Sequence, residues 1–273
     1  MRLLELFSGT GSIGTAFTAQ GWEVLSLDAD PKTDATIHED ILTWDHTTYP
    51  PGDFDAIWAS PCCTQYSCAR RGAKTPRNLP LADSLVLRSR EIIDYYNPRV
   101  GFIENPQTGL LKDRPFMLGV PFCDVDYCAY CDWGYRKRTR LWNNVDFKGR
   151  LCLGQGCCEN MVGSRHKTSA QQGKNTTNNG LYGTHFSQTT LHKIPPLLCE
   201  AIEAHIRIHI QALKFKNKFS FLVISSNLGK NQILDVSDLN AAWISEAGLF
   251  KLVLKSKSET CSRMESDGSA ISH

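Results

Sequence analysis

The sequence predicts an α/β fold, a doubly wound Rossmann-like parallel sheet with one small extra segment, on three observations. Apolar strands at Leu3 to Leu6, Glu23 to Leu27, Asp55 to Ala59 and Val100 to Ile103 alternate with helical stretches. The first strand runs directly into a glycine loop and a helix start. The chain has 273 residues, room for one α/β domain and an appendage where domains typically hold about 100 to 200.

Leu3, Leu4 and Leu6 make the first strand, and the run Leu4 to Ile13, LELFSGTGSI, carries it into the loop. Gly9 and Gly11 allow a tight turn and a close approach of backbone to a ligand, and the helix opening near Ser12 supplies free N–H groups. A lone G-x-G fits an ordinary turn equally well. The surroundings add weight: the helix Gly14 to Gln20 leads to strand Glu23 to Leu27, which ends on Asp28, an acid placed for a ribose diol or for solvent. The loop lacks the third glycine of the dinucleotide fingerprint and the Lys-Ser/Thr of a phosphate loop, so S-adenosylmethionine is the leading candidate.

The segment Ser60 to Ser67, SPCCTQYS, follows strand Asp55 to Ala59 and falls at the carboxyl edge of the sheet, where ligands gather. Cys63 there is either a nucleophilic thiol or a buried core thiol. The helix Leu81 to Tyr95 separates it from Phe102 to Pro106, FIENP, whose Glu104 would share the pocket with Cys63 while Asn105 and Pro106 end the strand. In Tyr135 to Trp142, YRKRTRLW, the residues Arg136, Arg138 and Arg140 recur at period two and face one side of a strand. They line a pocket for an anion or base, or edge a sheet.

Cys123 to Tyr130 and Arg136 to Asn143 read as an antiparallel pair on the sheet edge. Gly173 to Gly183 is a polar, glycine-rich loop, and Pro195 opens a helix over Leu197 to Leu213. The tail holds an apolar run, Phe219 to Ile224, a helix-like Asp238 to Phe250 and a polar Ser-rich end, Ser256 to His273, where disorder is expected.

In chain order, FSGTG, SPCCTQYS, IENP and RKRTR resemble the motifs of the cytosine carbon-5 methyltransferases, in the form of a small, virus- or phage-like member with a reduced recognition segment. The likeness runs from about Arg2 to Trp142, and KIPPLLCEAI, Lys193 to Ile202, is similar to the family's closing helix. It implies a catalytic and cofactor domain over 1–142, a short target-recognition segment over 143–190, a closing helix over 191–213 and an unassigned tail over 214–273. It also implies S-adenosylmethionine as cofactor, with Phe7 against the adenine, Gly9 and Gly11 along the methionine, Asp28 on the ribose, Asp40 on the adenine amino group, and Pro61 in the cofactor-side segment that leads to the nucleophile.

By the same resemblance Cys63 is the nucleophile, followed after two residues by Tyr66 and Ser67 as in the family, while Cys62 stands at a proline position. Glu104 and Asn105 match the acid motif, and Arg138 and Arg140 its two arginines. Carbon 5 of cytosine is a poor nucleophile. Attack of a thiolate at carbon 6, with an acid protonating ring N3 and an arginine on the carbonyl oxygen, makes carbon 5 able to take the methyl group. In a duplex the base must first flip out. Three departures stand out: Pro106 replaces valine, Arg136 replaces glutamine, and the family's separate arginine-rich motif is missing before the final helix. The resemblance therefore implies double-stranded DNA as substrate, with RNA such as a tRNA loop, or a binding relative without turnover, as the alternatives.

The net charge of +2 and pI near 8.0 are too mild to point to nucleic acid. The distribution does more: Arg70, Arg71, Lys74 and Arg77 follow the Cys63 segment, and Arg136 to Arg140 form a second cluster, placed for phosphate contacts or as solvated surface. An odd count of 11 cysteines, with no signal peptide, suggests a reducing intracellular compartment, and no apolar run reaches the about 20 residues of a membrane span. Cys152, Cys157, Cys158 and His166 form a loose metal-ligand set, and Cys128 and Cys131 a C-x-x-C, here taken as part of a strand. These spacings match no regular finger, so reduced thiols are expected and no metal is assigned.

Overall fold

The computed structural model describes residues 1–170 and 186–226, the latter with side chains through 215. Its six-stranded sheet has the order β2-β1-β3-β4-β6-β5, from β1 (Arg2–Leu6), β2 (Glu23–Leu27), β3 (Ala56–Ala59), β4 (Val100–Pro106), β5 (Phe122–Asp126) and β6 (Arg138–Asn143). The first four are parallel, and β6 runs antiparallel to both β4 and β5. The strands near the middle are buried on both faces, which is why β3 reads as an unbroken apolar run and β1, from Leu3 on, as one interrupted only by Glu5.

Two cores sandwich the sheet. Leu3, Ala56, Trp58 and Phe102 pack with Ile13 and Phe17 of α1 (Ser12–Ala19) on one face; Leu4, Leu6, Ile57 and Ile103 pack with Val86 and Ile92 of α2 (Leu79–Tyr96) on the other. Alternation along each strand dictates this division. Helix α2 begins two residues before the sequence expectation because Asn78 caps it, accepting from Leu81 N–H at 3.1 Å, with Pro80 in the first turn; it stops at Asn97, held left-handed at φ 47°.

The edge pair differs from expectation. Strand β5 stops at Asp126, and Tyr127–Ala129 make a 3-10 turn with Tyr127 fully buried, so Cys128 and Cys131 lie off the strand. Strand β6 starts at Arg138. Arg136 stands before it, paired with Asp126 at 2.7 Å, so only Arg138 and Arg140 share a strand face. A small hairpin, β7 (Met161–Val162) and β8 (Arg165–His166), follows.

After the short α3 (Gln188–His192), helix α4 (Pro196–Ser226) lays Leu198, Cys199, Ile202, Ile206 and Ile210 into the α1 core. Each such Leu or Ile contributes about 1.5 to 3 kcal/mol by leaving water. Glu203 fixes the helix further, accepting from Trp22 Nε1 at 2.7 Å and pairing with Arg207. The helix is longer than the predicted Leu197 to Leu213 and takes in the backbone of the apolar run Phe219 to Ile224. The Gly173 to Gly183 loop and the tail segments Asp238 to Phe250 and Ser256 to His273 lie outside the described residues. No described helix is long and apolar enough to cross a membrane.

Candidate active site

Between β1 and β3 the order of connections reverses, because the chain leaves β1 towards β2 and returns past it to β3. The loops after β1 and β3 thus open side by side at the carboxyl ends of their strands, the place where doubly wound sheets bind ligands. The first carries Phe7 to Gly11 and the second carries Pro61 to Ser67.

The first loop is conformationally special. Phe7, Gly9 and Gly11 all have positive φ, at 58°, 50° and 63°. Glycine adopts this region freely, whereas a phenylalanine there is strained, a feature concentrated at ligand clamps. Asp28 holds the loop: its carboxylate accepts from Gly9 N–H at 2.8 Å and Asp30 N–H at 2.9 Å. The predicted ribose ligand therefore also fixes the loop against the end of β2. Ser8 Oγ is buried without a hydrogen-bond partner, an unmet polar group in a loop shaped to receive a ligand. Asp40 is exposed and caps a turn, accepting from Leu42 N–H at 2.9 Å, directly before buried Ile41.

Beneath the loop lies a residue the sequence analysis left without a role. Glu5, on β1, is buried and accepts from Gly14 N–H at 3.1 Å at the start of α1. Burial pushes its carboxyl up to about 7. A Cβ at Gly14 would stand 2.5 Å from Glu5 Oε2, so the glycine is what lets the carboxyl reach the helix N-terminus.

In the second loop Cys63 caps its own turn, its carbonyl accepting from Tyr66 N–H at 3.0 Å and Ser67 N–H at 2.9 Å. Tyr66 is fully buried and donates to Asp83 at 2.8 Å, which is paired with Arg114; Ser67 caps the next 3-10 turn. The Tyr-Ser pair is thus the anchor of the loop. Arg77 reinforces it through the carbonyls of Gln65 and Ser67, and Arg70 braces Thr75 and Pro76. Those two arginines of the predicted phosphate cluster are occupied internally, while Arg71 and Lys74 are exposed.

Cys63 is largely enclosed, whereas Cys62 is exposed. Burial, together with the neighbouring Glu104, pushes the Cys63 thiol up to about 11. Glu104 is buried with Oε1 unpartnered, and burial raises its carboxyl too. Tyr127 and Thr139 bring hydroxyls to the same enclosure, Tyr127 beside Glu104 and Thr139 beside Tyr127. Asn105 joins the two segments, donating from Nδ2 to the Pro61 carbonyl at 2.8 Å.

The arginines do not join this group. Register pairs Glu104 with Leu141 and Asn105 with Arg140, so Arg140 and Arg138 face away from Glu104. Arg140 makes a two-pronged pair with Asp124, at 2.7 and 2.9 Å, and stacks on Phe122 with 3.5 Å from guanidinium to ring centre; Arg138 is exposed. The cation whose charge reaches both Cys63 and Glu104 is Lys137, which donates to the Leu191 carbonyl at 3.1 Å and lies over the Tyr127 ring. Lys137 stands just before β6, outside the strand whose period of two aligned Arg138 and Arg140, so that period held no signal for it.

Residues 1–115 match the family model described as C-5 cytosine-specific DNA methylase. The chain is 40% identical over 174 residues, 59% of its own length and 79% of the relative's, to a protein named "Probable DNA (cytosine-5)-methyltransferase" from Frog virus 3 (isolate Goorha). Among solved structures it is similar to S. pombe Dnmt2 methyltransferase, with a TM-score of 0.37 and 18% identity over 55% of this chain and 52% of that one. It is also similar to the Entamoeba histolytica methyltransferase EhMeth, with a TM-score of 0.41 and 16% identity over 57% and 56%. The chain spans about half the length of these solved structures. Given the extent of identity to the viral relative and the match of its amino-terminal part, the chain belongs to the C-5 cytosine-specific DNA methylase family.

Proposed function

We propose that the protein transfers a methyl group from S-adenosylmethionine to carbon 5 of cytosine in DNA, with Cys63 as nucleophile and Glu104 as acid. The observation that carries this reading is the pairing of a largely enclosed thiol and a buried carboxyl, both raised by burial, beside a loop with three left-handed residues. When bound, the cofactor supplies an electrophilic methyl group. Phe7, Gly9, Gly11 and Asp28 would hold it, with Asp40 and Pro61 at the margins.

The protein's own part divides between two groups. Glu104, its carboxyl raised by burial, donates its proton to ring N3 and so makes carbon 6 electrophilic; Cys63, its thiol proton released to solvent, attacks there as thiolate, and carbon 5 becomes the nucleophile that takes the methyl group. Lys137 favours the anionic forms of both groups. Loss of the carbon-5 proton to solvent then breaks the Cys63–carbon 6 bond and frees the thiolate, and N3 returns its proton to Glu104. The enclosure demands a base out of its stack, at a cost of a few kcal/mol. Of the two basic clusters, Arg71, Lys74 and Arg138 are exposed and placed to meet phosphate.

The test is transfer of labelled methyl to duplex DNA and to tRNA in parallel, followed by identification of the base. Label in 5-methylcytosine of DNA supports the reading. Label confined to RNA overturns its substrate, and absence of any transfer by protein that binds the cofactor overturns its activity.

A further inference from the structure

We propose that Cys128, Cys152, Cys158 and His166 bind one structural zinc ion that fastens the segment after β6 to the turn after β5. The four ligand atoms, three Sγ and an imidazole nitrogen, all lie within 4.8 Å of one another. His166 Nε2 is 3.6 Å from Cys152 Sγ and 3.7 Å from Cys158 Sγ. Tetrahedral zinc, with Zn–S about 2.3 Å and Zn–N about 2.0 Å, sets sulfur and nitrogen about 3.5 Å apart. The sequence set is thereby corrected: Cys128, from the expected strand, is the fourth member, and Cys157 is outside the group.

The backbone around the ligands is braced as a metal site requires. Asp126 Oδ2 accepts from Cys152 N–H at 2.8 Å and from Arg136 Nη2 at 2.7 Å. Asn160 is buried and ties three strands of backbone together, donating to the carbonyls of Cys128 at 3.0 Å and Cys131 at 2.7 Å and accepting from Gly134 N–H at 2.8 Å. The Asn160 N–H also points at the Cys158 sulfur, and the Arg136 guanidinium stands near Cys152 and Cys128. Three thiolates, one neutral imidazole and Zn²⁺ sum to a charge of −1, set beside the Arg136–Asp126 ion pair. Binding releases the three thiol protons to solvent.

The segment needs such a clamp. Over residues 148–170 the single buried residue is Asn160, which is polar, while Leu151 and Leu153 are 53% and 74% exposed. A stretch with no apolar core holds a fixed shape only if something else closes it. Three soft thiolates with one imidazole select zinc over hard cations, and four protein ligands leave no open position for catalysis.

The experiment uses the full chain purified from zinc-supplemented cells, with metal measured by mass spectrometry. About one zinc per chain is expected. Cys128→Ser, Cys158→Ser and His166→Ala should each lose most of it, and Cys131→Ser should retain it. Chelation should speed tryptic cleavage at Arg150, Arg165 and Lys167 by about tenfold or more. Cobalt added to metal-stripped wild-type chain should give the intense visible bands of a tetrahedral thiolate site, a readout independent of whether a variant folds. Zinc far below one per chain together with no such cobalt spectrum, iron in place of zinc, or zinc unchanged in all three ligand variants would overturn the assignment.

Discussion

Glu104 stands close enough to Cys63 for a charge on its carboxylate to keep the proton on the thiol. With the thiol pushed up to about 11, only roughly one chain in ten thousand carries the thiolate at neutral pH. A reluctant nucleophile beside a buried carboxyl suits a reaction in which proton donation to the ring comes first. The thiolate fraction grows with alkalinity below its pKa, so methyl transfer followed from about pH 5 to 9 should rise with pH while the chemical step limits and fall once Glu104 ionises. A pH–rate profile of single-turnover transfer checks this, and a rate flat over that range would contradict it.

Glu104→Gln removes the acid but not the enclosure. Turnover should fall about 10²- to 10⁴-fold, while cofactor affinity, measured by calorimetry, should stay within a few-fold because Glu104 is not in the glycine loop.

Lys137 acts on the pair at a distance. Lys137→Met should raise the Cys63 thiol further, by about one unit, and slow transfer at neutral pH about tenfold; Lys137→Arg should restore most of it. Alkylation of Cys63 followed against pH reports the shift directly, and an unmoved profile would leave Lys137 a purely structural residue.

Much of this was legible in the sequence because the strands and their ends follow alternation. Leu3 to Leu6 and Val100 to Ile103 could be read as buried strands, and a sheet of that kind obliges Asp28, Cys63 and Glu104 to meet at one edge. What could not be read depends on side chains that turn against the pattern. Tyr127, buried at the end of β5, breaks the expected strand and carries Cys128 towards His166, a contact across 38 positions that no spacing rule contains. Arg70, Arg77 and Arg140 looked free to meet phosphate, yet each makes hydrogen bonds within the protein.

Glu5 gives stability a specific pH dependence. Its folded pKa is raised from 4.5 to about 7, so the stabilisation it allows is fully present below the unfolded value and lost as pH rises through the folded one. The loss is about 3 kcal/mol across that window. Histidines lowered by burial, such as His46 and His205, act in the opposite sense, so the comparison is with Glu5→Gln: denaturant unfolding of the variant should lack the Glu5 component. Identical pH curves for the two proteins would contradict it.

Gly11 tests the cofactor loop. At φ 63° a β-branched residue is strained by about 1 to 2 kcal/mol or more, so Gly11→Val should lose cofactor binding in calorimetry while its circular dichroism stays that of the folded chain. Unchanged affinity in folded Gly11→Val would remove the loop from the cofactor site.

In the proposed reaction the largely enclosed Cys63, and not its exposed neighbour Cys62, forms the bond to carbon 6 of cytosine. Duplex DNA carrying 5-fluorocytosine blocks the final proton loss, so incubation with cofactor and protein should leave a covalent complex, and peptide mass spectrometry should locate it on Cys63. Cys63→Ser should form none and Cys62→Ser should form it normally. An adduct mapped to Cys62, or methylation of ordinary cytosine that persists in Cys63→Ser, would contradict the account.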